Sequence, residues 1–238
     1  MEPVAEDWQR ALAIVAHPDD LEYGAAMAIA RWTAQGKEIV EVLATRGEAG
    51  IQSMAPEEVA PLRAAEQIEA ARRVGVETVE FLGFPDGMLE YGLPLRRELA
   101  RAVRRHRPEV VVSLNFRERF PGGMFNMADH RVLGEAVADA VRDAANPWVF
   151  RDLTEPAWGG VRFSLFANSP EATHYVEVTD HLETGLHALR AHKVYFDTLG
   201  TDAEGPDAIT GVEQMLRSIT AETGASAGVP HAVPFEVI

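Results

Sequence analysis

The chain has 238 residues, 47% of them hydrophobic, enough to fill one continuous core, and a single α/β domain over residues 1–238 is expected. Thirty-seven acidic against 22 basic side chains leave a formal charge of −15, a field that repels phosphate backbones and argues against nucleic acid as a partner. With no cysteine, disulfides and thiolate metal sites are excluded, and no run of about 18 apolar residues offers a membrane span.

The polar start "MEPVAEDWQR" lacks the basic and apolar regions of a leader, so a cytoplasmic protein is expected. The first predicted strand is "ALAIVA" (11–16), followed by a helix "AAMAIARWTAQG" that ends at Gly36. A second strand, "IVEVLA" (39–44), leads to the helix "PEEVAPLRAAEQIEAARRVG", opened by Pro56 and two acids and closed by Gly75. "TVEFLGF" (78–84) is the third strand. The next helix, "LPLRRELARAVRRHRP", buries Leu95, Leu99, Ala102 and Val103 and turns its arginines to water. "EVVVSLN" (109–115) is the fourth strand; a loop "FRERFPGGMFNMA" then precedes a helix from residue 129, with Asp129 as N-cap. Two more strands, 161–167 and 174–179, are followed by a helix capped by Asp180 and Glu183. Residues 201–208 are predicted as a surface loop, and "TGASAGVPHAVPFEVI" as a tail with little regular structure.

Most of these strands are apolar on consecutive positions, as strands covered on both faces are. Strand and helix alternating four times predicts a doubly wound, Rossmann-like, mainly parallel sheet with helices on both faces. Ligands bind such sheets beyond the carboxyl ends of the strands, where the winding reverses. No GxGxxG or P-loop follows the first strand, which weighs against a dinucleotide or nucleoside triphosphate.

At that carboxyl end stands "VAHPDDLEYG", with His17, Asp19, Asp20 and Glu22 inside six positions. An imidazole and a carboxylate on a turn stiffened by Pro18 can share one divalent ion, with a third ligand from elsewhere. The second acid, free of the ion, can then move a proton. Spacing leaves open which of Asp19 and Asp20 plays which part. In a sheet ordered 3-2-1-4 the first and fourth strands are neighbours, so Asp129 and His130 can reach the same ion. The other histidines, His106, His174, His181, His187 and His192, lack metal-like company and fit surface or packing roles; Trp8 and Trp32 fit core packing as readily as sugar stacking.

Together these residues resemble the PIG-L (LmbE-like) family of zinc-dependent N-deacetylases. Ala16 to Asp20 match its AHPDD segment, and Asp129-His130 match the end of its HxDH segment. "TRGEAG" (45–50), "RAAEQIEAARRVGV" (63–76) and "FLGFPDGML" (81–89) are similar to three further family segments, so the likeness runs through about the first 145 residues; beyond, "LRAHKVYF" matches faintly its AHxSQ segment. The resemblance implies that His17, Asp20 and His130 bind Zn2+ or another divalent metal, that Asp19 is the general base, and that Arg63 and Asp86 contact sugar hydroxyls. It implies hydrolysis of an N-acetylglucosamine-type sugar or a related small conjugate, with homo-oligomer formation compatible.

Three positions depart from the family pattern. Met127 stands where HxDH begins with His, Phe125 where sugar-inositol enzymes often have Tyr, and Gly185 where a lysine is common. Asn126, Tyr91 and His231 are candidate substitutes for the missing oxyanion donor. Met127 and Phe125 motivate one alternative, a metal-bearing sugar-binding protein with little turnover; another is the same chemistry on a different amide, as an amidase acting on a thiol or glycopeptide conjugate.

Overall fold

The computed structural model describes residues 1–199 and 207–238. Eight strands form one sheet: β1 (Glu2–Pro3), β2 (Arg10–Val15), β3 (Glu38–Leu43), β4 (Thr78–Phe81), β5 (Val110–Leu114), β6 (Phe163–Ala167), β7 (His174–Glu177) and β8 (Ala232–Val237). The helices are α1 (Asp20–Gly24), α2 (Ala26–Ala34), α3 (Pro56–Arg73), α4 (Leu93–His106), α5 (Ala128–Ala145), α6 (Leu182–Leu189), α7 (Lys193–Thr198) and α8 (Ala208–Ala227). The strand order is β1-β7-β8-β6-β5-β2-β3-β4, parallel except for β8, which runs against both β6 and β7. The expected 3-2-1-4 arrangement is therefore present as β4-β3-β2-β5.

The period of two along each strand divides the core into two layers. Ala11, Ala13 and Val15 of β2 pack with α2 and α6 residues such as Ile29 and Leu186, whereas Leu12, Ile14 and Ala16 pack with Leu99 of α4 and Val137 of α5. Helices thus cover both faces, which is why the strands are apolar at nearly every position. Trp8 and Trp32 are fully buried, edge to face at 5.2 Å, and belong to the core.

Several expectations are corrected. The stretch from Thr223 onward is not irregular: α8 continues to Ala227 and β8 occupies Ala232–Val237, inserted between β6 and β7. Two flanking strands supply the hydrogen bonds that a short segment carrying Pro234 could not promise locally. Asp180 does not cap α6, because a 3-10 turn over Thr179–His181 precedes that helix and no side chain caps it. Not all arginines of α4 face water: Arg104 is buried and its guanidinium donates to the carbonyls of Ala144, Asn146 and Val149, closing the end of α5. Of the loop expected over 201–208, residues 201–206 lie outside the described residues, and Asp207 caps α8 by accepting from Thr210 N–H at 2.8 Å. Gly185 leaves no room for the lysine common in the family, since even a Cβ there meets Met27 Cγ at 2.4 Å and its backbone N and Cα at 3.0 Å.

Candidate active site

The chain reverses direction of winding between β2 and β5, and their carboxyl ends carry the clustered acids and histidines. After β2 the backbone turns tightly at Asp19, whose φ of 79° lies in the left-handed region. Aspartate is among the few non-glycine residues that adopt this region as single residues, and contacts on both its neighbours fix the turn. Asp20 Oδ2 folds back to accept the N–H groups of Ala16 (3.0 Å) and His17 (2.9 Å). That leaves Oδ1 facing outward, 3.0 Å from His130 Nε2.

His130 arrives from the first turn of α5. The loop before it is stapled by Asn126, whose amide nitrogen donates to the carbonyls of Asn115 (2.7 Å) and Arg117 (3.0 Å). Asn126 Oδ1 accepts from Met127 N–H (2.9 Å) and from His130 Nδ1 (3.1 Å). The Nδ1 side of the ring is thus held by Asn126, and Nε2 is turned towards the Asp20 oxygen. Asp129 does not cap α5, because Met127 occupies the N-cap position and Asp129 lies inside the first turn. Its carboxylate instead takes the N–H groups of Gly87 (2.8 Å) and Leu89 (3.2 Å), tying the turn after β4 to α5.

His17 is held between two sets of carboxylates. Its Nδ1 is 3.6 Å from Asp20 Oδ2, and its Nε2 is 3.1 Å from Asp86 Oδ1 and 3.3 Å from Asp129 Oδ2. Burial alone would strip its proton, but the charge of Asp20 and hydrogen bonds with Asp129 and Asp86 push its pKa up to about 12. Asp20 is driven well below the carboxylate range: burial opposes this, and the two imidazoles override it. Asp19 goes the other way, raised to about 6 by burial although the Arg63 charge resists.

Donor atoms of His17, Asp20 and His130 all lie within 4.8 Å of one another. Two lone-pair-bearing atoms, His130 Nε2 and Asp20 Oδ1, face each other at 3.0 Å, which requires a proton or a cation between them. Each imidazole has its second nitrogen fixed by an oxygen acceptor, the arrangement that orients histidine metal ligands. The residues therefore fit a divalent metal ion held by nitrogen and oxygen alone. Replacing Asn126 with leucine frees the His130 ring; metal affinity is expected to fall about 10- to 100-fold, measured by competition with a chromophoric chelator at an unchanged circular dichroism spectrum.

Arg63 is buried on α3. Its Nη2 donates to Asp19 Oδ2 (2.9 Å) and to Pro18 O (2.8 Å), its Nη1 to Gly47 O (3.2 Å), and its guanidinium lies 4.2 Å from the Tyr195 ring centre. Asp86 is half-buried and accepts from Ala49 N–H at 2.8 Å as well as facing His17. Gly47 and Gly50 lack a side chain because a Cβ at either would meet Arg63 Nη1 at 2.3 or 2.6 Å. Glu22, the fourth polar residue of the opening cluster, turns away from the group and faces His192 at 3.2 Å in full burial.

A family model described as PIG-L, GlcNAc-PI de-N-acetylase, matches residues 12–141, more than half the chain. The protein belongs to the PIG-L family. It is 29% identical over 196 residues to a diacetylchitobiose deacetylase of Thermococcus kodakarensis, covering 80% of this chain and 71% of that one. It is 28% identical over 264 aligned positions to a 1D-myo-inositol 2-acetamido-2-deoxy-alpha-D-glucopyranoside deacetylase of Kineococcus radiotolerans, covering 83% and 72%. A solved structure of N,N'-diacetylchitobiose deacetylase from Pyrococcus horikoshii superposes with a TM-score of 0.86 at 26% identity, covering 98% of this chain and 85% of that one. As a PIG-L protein the chain is a hydrolytic deacetylase by class. No helix among the described residues is long and apolar enough to cross a membrane.

The substitutes considered for the oxyanion donor are engaged elsewhere. Asn126 spends its amide on loop carbonyls, Tyr91 O–H donates to Asp139 on α5, and His231 Nδ1 pairs with Thr220 at 3.0 Å. Met127 and Phe125 are both more than half exposed and carry no replacement donor.

Proposed function

We propose that the protein removes the acetyl group from an N-acetylated amino sugar, N-acetylglucosamine or a small conjugate of it, with zinc or another divalent ion held by His17, Asp20 and His130. The observation carrying this reading is the meeting of two remote segments, β2–α1 and the start of α5, on one nitrogen and oxygen donor set, with a second carboxylate, that of Asp19, next to it in the chain and held by Arg63.

When bound, zinc lowers the pKa of a water to about 7 and draws electron density from the amide oxygen. Asp19 works beside it. Arg63 engages Oδ2 of Asp19, leaving Oδ1 to take a proton from the attacking water and pass it to the departing amine nitrogen. Burial raises the affinity of Asp19 for that proton, which suits a group that must first accept and then release it. Arg63 and Asp86 orient the sugar hydroxyls, and the former does so while fixing the base.

Metal-loaded protein incubated with N-acetylglucosamine, N,N'-diacetylchitobiose and an N-acetylglucosaminyl inositol is expected to release acetate and free amine in equal amounts from at least one of them. Sugar binding without acetate over long incubation would replace this reading with that of a binding protein, which the missing donors at Met127 and Phe125 favour.

A further inference from the structure

The proposed base sits in a left-handed backbone turn, and two residues of α3 hold it from opposite ends. Arg63 grips the carboxylate; Gln67, one helical turn on and on the same face, accepts the Asp19 N–H through Oε1 at 2.9 Å. An amide side chain can present either end, and the end is chosen by a third residue. Gln67 Nε2 donates to Glu41 Oε2 at 3.0 Å, so only Oε1 is left for the turn.

Glu41 is otherwise hard to explain. It lies at mid-strand in β3 between Val40 and Val42, is fully buried, and its Oε1 has no partner. Burial, with the nearby Glu22 charge adding to it, holds its carboxyl well above the usual range, and its Oε2 serves as the acceptor for Gln67. Valine or leucine would pack such a position at less cost.

We infer that Gln67 and Glu41 are positioning residues for Asp19: Glu41 sets the orientation of the Gln67 amide, and Gln67 holds the N–H that keeps the base in its left-handed turn. The inference deepens the proposed function, since it rests on Asp19 as the proton carrier. It adds two buried residues, leading from β3 to the reacting group, that touch neither metal nor substrate.

The test compares Gln67→Met, the double variant Glu41→Met/Gln67→Met, and Glu41→Gln. Pairing the two substitutions spares the buried Glu41 carboxyl that Gln67→Met alone leaves unpartnered, so the double variant is expected to melt higher than Gln67→Met, yet below the wild type because the Asp19 N–H has lost its acceptor. Its kcat is nevertheless expected to fall about tenfold or more, since small misplacements of a catalytic group are costly, with KM and bound metal within about twofold. Glu41→Gln keeps an acceptor for Gln67 and is expected to retain most of kcat. Hydrogen exchange at the Asp19 amide supplies a readout independent of turnover: it is expected to quicken about tenfold in Gln67→Met and in the double variant, and to stay slow in Glu41→Gln.

Wild-type kcat with unchanged exchange in the double variant overturns the inference, as does a loss of kcat that merely follows melting temperature across the three proteins. If the wild type hydrolyses no acetylated sugar, the functional reading fails, and the exchange measurement alone decides whether Gln67 and Glu41 hold the turn.

Discussion

Asp19→Asn is expected to lower kcat by about 10²- to 10⁴-fold while leaving the metal content and the fold intact. Asparagine tolerates the left-handed conformation at least as well as aspartate, so φ of 79° remains accessible. Its Oδ1 can still accept from Arg63, and the N–H to Gln67 is untouched. What is lost is the ability to take a proton from water. The measurement is acetate release under saturating substrate, alongside metal analysis and a melting curve for each protein. Full activity in this variant would remove Asp19 from the proton path and with it the division of labour between the two neighbouring acids.

The second large effect belongs to His130→Ala. It deletes one of the three proposed donors and leaves Asp20 Oδ1 without a partner, so metal content is expected to drop from about one ion per chain to near zero, with deacetylation falling by three orders of magnitude or more. Stability makes the same point without any turnover. An ion present at a thousand times its dissociation constant stabilises the folded state by about 4 kcal/mol, worth roughly 8–16 °C for a chain of this length. Chelation is therefore expected to lower the melting temperature of the wild type by such an amount and to leave that of His130→Ala almost unchanged. An ion retained in the variant, or a wild type indifferent to chelator, would remove His130 from the donor set.

Much of this site is legible in the residues alone. His17, the acid pair Asp19 and Asp20, and His130 could be brought together on paper because alternating strands and helices suggest a doubly wound sheet, whose 3-2-1-4 order makes the segments after β2 and β5 neighbours. The choice of Asp20 as ligand comes from the family resemblance. The fixing contacts were not legible. Asn126 was considered as a donor to substrate, yet its amide faces are consumed by loop carbonyls and by His130, a matter of loop geometry that no pattern encodes. Gln67 is one of many polar residues on α3, and its partner is 48 positions away. Glu41 did carry a signal, an acid inside the apolar run "IVEVLA", which marks a buried polar contact without saying to what. β8 and α8 were missed for a different reason: α8 has few buried residues and so a diluted apolar face, and β8 is stabilised by two partners remote in sequence.

The insertion of β8 between β6 and β7 bears on how this protein comes off the ribosome. β2 to β5, with every group of the donor set, are synthesised by residue 130, well before the strand that joins β7 and β1 to the rest. Until residues 232–237 leave the exit tunnel, β6 shows a bare hydrogen-bonding edge and the β1–β7 ribbon lacks the strand that joins it to the rest of the sheet. The nascent chain thus passes through a stage with its chemistry-bearing half assembled and its last seam open, the stage at which chaperones or aggregation would compete for it.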